Sequence, residues 1–224
     1  MDVWIIIPAY NEESVICNVI RQLKEYFRYV LVVDDGSSDM TYKLSIDSGA
    51  IVLHHAVNFG QGSALQTGIE YACINNAKYI ATFDADGQHS CDDLLKMIEV
   101  IKKGHYDIVL GSRFIGDTKS NIPSSRKILL RLAVFFTWCT SGVRLTDAHN
   151  GLRVMTVAAG KKIKIQQNKM AHASELISII KQQHLLFTEV PVTIKYTEYS
   201  LSKGQKFIHS FEIIKQLFMG KFIK

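Results

Sequence analysis

The chain has 224 residues, enough for one sizeable domain with its own core. An apolar share of 47% and a charged share of 21% are those of a globular protein, and three prolines without a low-complexity tract exclude a disordered linker. The net charge of +5 is unevenly placed, because residues 203–224 carry five lysines against Glu212 alone; with no nucleic-acid recognition motif beside it, that cluster suits phosphates, an anionic surface or a solvated helix face.

Residues 3–7 form a continuous apolar run, the pattern of a strand covered on both faces. After "PAYNEE" (8–13), Val15, Val19, Leu23 and Phe27 recur every four residues and predict a helix. Residues 29–33 predict a second buried strand ending in "DDGSSD" (34–39), followed by a short helix stopped at Gly49. A third strand is predicted at 51–55, with the glycine-bearing loop "NFGQG" (58–62) feeding a helix. Residues 79–83 predict the fourth strand, 92–104 a helix closed by Gly104, and 106–112 the fifth strand. Beyond residue 113 the alternation weakens into helical segments near 125–141 and 171–183 and a strand across 186–196.

Such alternation predicts an α/β fold on an open, mostly parallel sheet flanked by helices. Ligands of these sheets gather at the carboxyl ends of strands. Five polar motifs stand there: "PAYNEE", "DDGSSD", "NFGQG", "DADGQH" (84–89) and "GSRF" (111–114). No linker or internal repeat divides the chain, so residues 1–202 are expected to be a single domain and 203–224 a basic amphipathic helix. In that tail Phe207, Phe211, Ile214, Phe218 and Phe222 recur at helical spacing among lysines, a stripe that fits core packing, a membrane surface or a small membrane protein partner. Cys17, Cys73, Cys91 and Cys139 are widely spaced and read as reduced, mostly buried thiols of a cytoplasmic protein. The start of the chain lacks the pattern of a signal peptide, and no run reaches the ~18 apolar residues of a membrane span.

"DADGQH" places two carboxylates, Asp84 and Asp86, one residue apart at a strand end. Their repulsion raises one pKa unless a hard divalent cation neutralises both, and the Gln88 amide adds a third oxygen. An Asp-Gly turn at 86–87 explains the same letters without a metal. A calcium loop of the EF-hand type is excluded, since positions six and twelve from Asp84 hold His89 and Leu95 instead of Gly and Glu. Gly60 and Gly62 precede a helix, where bare backbone favours an anion, but the pattern is neither the phosphate loop nor the dinucleotide fingerprint. "DDGSSD" reads either as a turn with Asp39 capping the next helix or as an aspartate receiving a donor from a base or ribose.

In their order and spacing over residues 3–153, "IIIPAYNEE", "VVDDGSSD", "NFGQGSALQTG", "FDADGQH", "GSRF" and "DAHNGLR" resemble the family 2 glycosyltransferases of the GT-A fold. Within that family the chain looks most like the dolichyl-phosphate mannose synthase and polyprenyl-phosphate glycosyltransferase branch, whose aspartate motif also continues through Gln and His. The resemblance implies a metal-dependent, inverting transfer of a sugar from a nucleotide-diphosphate sugar to a polyprenyl phosphate, with Mg²⁺ or Mn²⁺ as cofactor. It also implies a cytoplasmic enzyme held peripherally on the inner face of the membrane; a homo-oligomer is left open.

By the same resemblance Pro8, Ala9, Tyr10, Glu12 and Asp35 line the nucleotide pocket, with Gly62, Asp84 and Ala85 completing the nucleotide contacts. Asp84, Asp86 and Gln88 carry the metal. Asp86, Asp147, Arg113 and Arg126 form the expected catalytic set, while Arg113, Arg126, Arg153 and Lys203 hold the acceptor phosphate. "YSLSKG" (199–204) departs from the arginine-containing closing loop common in that branch.

A lipid monophosphate needs no general base, because a second pKa near ~6 leaves it largely dianionic at neutral pH. It needs cations, and arginine suits bidentate phosphate contact. A saccharide hydroxyl acceptor, the alternative in cell-surface polysaccharide synthesis, needs a base, for which Asp147 is the candidate. Nucleotidyl transfer calls for a glycine-rich basic loop after the first strand, where this chain has "PAYNEES". A non-catalytic nucleotide-binding module is the remaining reading.

Overall fold

The computed structural model describes residues 2–116, 124–168 and 171–195; the expected tail helix at 203–224 lies outside the described residues. The described chain runs β1 (Val3–Ala9), α1 (Ile16–Lys24), β2 (Tyr29–Asp34), α2 (Thr41–Asp47), β3 (Ile51–His54), α3 (Gln61–Ile74), β4 (Tyr79–Thr82), α4 (Cys91–Lys102) and β5 (Ile108–Ser112). It continues through α5 (Ser124–Ser141), β6 (Arg153–Thr156), α6 (Val157–Lys162), α7 (His172–Gln182) and β7 (Phe187–Pro191).

β1 is buried along its whole length because helices cover both faces of the sheet. Ile5 and Ile7 pack with Ile16, Ile20, Leu94 and Ile98 of α1 and α4. Trp4 and Ile6 face the other way, onto Leu65 and Ile69 of α3 and Leu176 of α7. Alternate residues of one strand therefore serve two separate cores, which is why its sequence is apolar throughout.

The strand order is β3-β2-β1-β4-β6-β5-β7. β6 runs antiparallel to both β4 and β5, while the parallel pairings β3–β2, β2–β1, β1–β4 and β5–β7 leave the other six strands sharing one direction. The five polar motifs expected at strand ends thus all emerge on one edge. The reversed strand adds a sixth segment, since β6 starts where its neighbours finish and the preceding residues 147–152 lie on that same edge.

The sequence reading is corrected in three places. β6 and the short α6 after it were not foreseen, because four residues beginning with arginine carry too little apolar pattern. The strand expected over 186–196 ends at Pro191, which has no N–H to extend the ladder. Residues 192–195 instead cross the sheet edge, with the Val192 amide donating to Ser112 O, Thr193 to Asp93 Oδ2 and Lys195 to Gln88 O. The cysteines are free as expected but not mostly buried: Cys17, Cys73 and Cys91 are half-buried and Cys139 is exposed.

Helix α3 lies close on β1 because Gly68 has no side chain; a Cβ there would run into Ile6 Cγ2 and crowd Val33. Gly68→Ala sets a helix-propensity gain of about 1 kcal/mol against an overpacking cost of about 1–3 kcal/mol. Both neighbours are fully buried, so the clash outweighs the gain. We expect a net loss of about 1–2 kcal/mol in urea unfolding; a variant as stable as the parent would show slack at this interface.

Candidate active site

The strand edge opens into a cavity of about 570 Å³. Pro8, Ala9, Tyr10 and Glu12 from the end of β1, and Asp35 from the end of β2, form one wall. Asp84, Ala85, Asp86, Gln88 and His89 after β4 form the floor, with Arg113 after β5 beside them. Residues not singled out from the sequence join them: Asn58, Gly60, Gln61 and Ala64 from the entry to α3, His149, Asn150 and Gly151 before β6, and Ile194 after β7. Most of these come from segments whose register only the folded chain reveals.

The Asp35 carboxylate is already engaged. Its Oδ1 accepts from the Phe59 amide and lies 2.7 Å from His55 Nδ1, and its Oδ2 accepts from the Gly60 amide at 2.7 Å. Asp35 thereby fixes the loop before α3 against the end of β2. Gly62 corrects an expectation. It does not line the cavity; its amide donates to Asn168 O, and a Cβ there would collide with Gln167 O. Its missing side chain serves the close passage of residues 167–168.

On the floor, Asp84 Oδ1 accepts from Gln61 Nε2 at 3.2 Å and Oδ2 lies 3.0 Å from His89 Nε2. The side chain keeps 29% exposure, so the carboxylate still faces the cavity. Burial works to raise the Asp84 carboxyl, but the His89 hydrogen bond and the charges of His89, Arg153 and His172 outweigh it and hold it below the usual range. Asp86 goes the other way: burial first, then the neighbouring Asp84 charge, push it up to about 6. One carboxylate is held charged and its neighbour resists charging, the imbalance that a bound cation relieves.

The donor set fits a hard divalent ion that takes few protein oxygens and completes its shell with water and phosphate. No group of three or more His, Cys, Asp or Glu side chains is arranged to cage a metal among the described residues, so any ion held here depends on other oxygens for most of its shell. Gly151 sets the backbone against this floor, since a Cβ there would overlap the Asp84 carboxylate, and its carbonyl accepts from Thr82 Oγ1 at 2.6 Å.

Behind the cavity wall Asp147 grips Arg113 along one side of the guanidinium, taking Nε–H at 2.6 Å and an NH2 hydrogen at 2.8 Å. The backbone amides of Arg113 and His149 also donate to it. Burial would raise the Asp147 carboxyl, but these bonds and the Arg113 charge hold it below its ordinary value. Both side chains are almost fully buried.

Arg153 corrects another expectation. Its backbone pairs with Thr82 and Leu110 in the middle of the sheet, its side chain is only 4% exposed, and it does not line the cavity. Burial lowers its pKa against the pull of Asp84 and Asp147; it acts as an internal counter-charge to both instead of a contact for an incoming phosphate. Only the backbone of Arg126 is described, in α5, and Lys203 lies outside the described residues.

Two polar groups at the wall have no partner inside the protein. Asn150 is 5% exposed; its Oδ1 accepts from the Leu152 amide at 2.9 Å, which turns Nδ2 away unpaired. His149 Nδ1 is also buried without a partner. Such groups in a cavity wall are places for ligand atoms.

The family model of glycosyl transferase family 2 matches residues 4–163. Over 224 residues the chain is 37% identical to the uncharacterized protein MJ1222 of Methanocaldococcus jannaschii, covering 98% of this chain and 92% of that one. It is 33% identical to the UDP-N-acetylglucosamine–dolichyl-phosphate N-acetylglucosaminyltransferase of Methanococcus voltae, covering 98% and 96%. Among solved structures, glucosyl-3-phosphoglycerate synthase of Mycobacterium tuberculosis, in complex with Mn²⁺, uridine diphosphate and glucosyl-3-phosphoglycerate, superposes with a TM-score of 0.71. That match covers 96% of this chain and 77% of that one at 16% identity, a likeness of fold.

His149 supplies a pH test of this geometry. Burial, reinforced by Arg113 and Arg153, lowers its pKa from 6.5 to about 4 against the pull of Asp147. Between those values the unfolded chain binds a proton that the folded one refuses, so His149 contributes stability above pH 6.5 that is lost as pH falls toward 4. Asp86 titrates across an overlapping window with the opposite sign. The measurement is therefore the difference between two proteins: melting temperature from pH 7.5 to 4.5 should fall less steeply for His149→Gln than for the parent. Parallel curves would show His149 to be solvated.

Proposed function

The chain belongs to glycosyl transferase family 2, and we propose that this glycosyltransferase moves a sugar from a nucleotide-diphosphate donor onto a polyprenyl phosphate. The relative from Methanococcus voltae, by its name, joins such partners, and its whole length is matched by this chain almost end to end. The observation that carries the reading is the Arg113–Asp147 pair. Asp147, the carboxylate that could serve an alcohol acceptor as base, is held ionised beneath an arginine and hydrogen-bonded on both oxygens. A carboxyl of lowered pKa, already fully bonded, is a poor proton acceptor. It is well suited to orient a guanidinium toward an anion that needs no base.

In this reading the nucleotide lies against residues 8–10 and Asp35, and the diphosphate reaches the floor at Asp84 and Asp86. A divalent ion bound there, Mg²⁺ or Mn²⁺, would stabilise the leaving diphosphate as a Lewis acid. Asn150 Nδ2, unpaired and fixed by the Leu152 amide, donates to an oxygen of the donor sugar. Arg113 holds the acceptor phosphate, and Asp147 positions Arg113. An acceptor phosphate oxygen bonds to the anomeric carbon as the bond from that carbon to the diphosphate breaks, with inversion; the electron pair leaves with the nucleoside diphosphate and no proton has to move.

Arg126 and Lys203 are proposed as further cations for the acceptor. No described helix is long and apolar enough to cross a membrane; we place the enzyme peripherally on the cytoplasmic face, where a lipid acceptor presents its phosphate.

Asp147→Asn separates positioning from base catalysis. As a positioning residue, its loss should raise the acceptor KM about 10- to 100-fold, the worth of a charged hydrogen bond, with a smaller effect on kcat. Rates for parent and variant should both climb through the acceptor's second ionisation near ~6. Collapse of kcat at unchanged acceptor KM, with the alkaline limb lost, would make Asp147 the base and the acceptor an alcohol.

A further inference from the structure

Helix α5 turns an apolar face to solvent. Ile128, Leu132 and Phe135 are 62%, 57% and 58% exposed, Trp138 is 39% exposed, and Cys139 beside them is exposed as well. At about 100° per residue these five occupy an arc of roughly 120°. No other described helix leaves more than two large apolar side chains exposed. The opposite side of α5 is occupied, with Thr137 and Ser141 buried and Val134 packed on the core beside α7. The open face is therefore not a packing surface turned the wrong way.

Its charge selects among occupants. Between Asp117 and Asp147 the sequence has no acidic residue and five cations: Lys119, Arg126, Lys127, Arg131 and Arg144. Lys127 and Arg131 are exposed along the stripe, and the Arg144 guanidinium lies 5.4 Å from the centre of the Trp138 ring, which also meets Phe135 edge-on. The chain's own C-terminal segment carries five lysines against one glutamate, so it matches this face in sign and would be repelled by it. Tryptophan, phenylalanine and leucine on one side of a helix with lysine and arginine around them are what an anionic interface attracts.

We propose that the α5 face docks on an anionic phospholipid bilayer, with Leu132, Phe135 and Trp138 seated at the acyl–headgroup boundary and Lys127, Arg131 and Arg144 among the headgroups. This rests on the lipid-phosphate reading of the site and deepens it: the face follows Arg113 directly in the chain, so docking would bring the cavity to the surface where the acceptor's phosphate lies. It assigns the contact to a helix within the domain, separately from the C-terminal tail.

Trp138 is a built-in reporter. The only other tryptophan, Trp4, is 5% exposed and stacked on Tyr29 in the core. Full-length protein is mixed with vesicles of phosphatidylcholine alone or with phosphatidylglycerol, some carrying brominated acyl chains. With phosphatidylglycerol present, the emission should shift to the blue and be quenched by bromine, and raised salt should weaken binding. Trp138→Phe should still sediment with vesicles but lose the quenching. Phe135→Glu and, as a second variant, Leu132→Glu should weaken sedimentation at least tenfold while melting at the parent's temperature.

Unchanged Trp138 emission with anionic vesicles would overturn the proposal. So would quenching that survives both glutamate substitutions, or emission already blue-shifted without lipid in a dimer, which would give the face to a second copy. Transfer to a polyprenyl phosphate dispersed in detergent is measured alongside. Failure of vesicle docking with that transfer intact removes the docking face alone; docking without transfer leaves the face standing and removes the lipid-phosphate reading.

Discussion

A carboxylate that must stay charged at the bottom of a protein cavity organises this edge of the sheet. Asp84 ends β4, where burial alone would favour its neutral form. Four separate segments prevent that: His89 from the turn that follows, Gln61 from the start of α3, the backbone at Gly151, and the Arg153 charge from β6. Each comes from a different part of the chain, so the site can form only when the sheet is complete. Asp86 is left as the unstable partner, raised to about 6, and its instability gives the floor its appetite for a cation.

The reversed strand makes this possible. Had β6 run with its neighbours, residues 147–152 would emerge at the opposite edge, and neither Asp147 nor Asn150 could face the cavity. Reversal places one short segment beside the ends of both β4 and β5. That segment backs Arg113 with Asp147, brings Gly151 onto Asp84 and presents the unpaired Asn150 amide. A site floored by carboxylates and walled by a fixed guanidinium handles two anions of opposite role, the diphosphate that leaves and the phosphate that arrives. Neither needs a proton moved.

Much of this was legible in the sequence, for physical reasons that differ by residue. The apolar run of β1 had to be covered on both faces, and the repetition of such runs with amphipathic helices fixed the parallel part of the sheet. Asp84 and Asp86 stood out because two carboxylates at a strand end demand compensation. β6 was invisible because a four-residue strand opening with arginine looks like neither a half-buried nor a fully buried one. Arg153 was taken for a surface phosphate ligand for the same cause: sequence shows its charge but not its register opposite Thr82. Gly62 and Gly60 looked alike as a pair, yet only Gly60 faces the cavity, while Gly62 makes room for residues 167–168. Asn150 and Gln61 carried no signal, since an uncharged amide gains meaning only from the neighbours that fix it.

The central claim is that the cavity joins a sugar to a phosphate oxygen, without a base. Its most direct measurement offers the purified enzyme a radiolabelled nucleotide sugar and a divalent ion with polyprenyl phosphate, or with the same polyprenol lacking its phosphate. The account predicts label in the organic phase with the phosphate alone, as an acid-labile glycosyl phosphate. Label on the bare polyprenol, or on a saccharide hydroxyl while polyprenyl phosphate stays unlabelled, would contradict it.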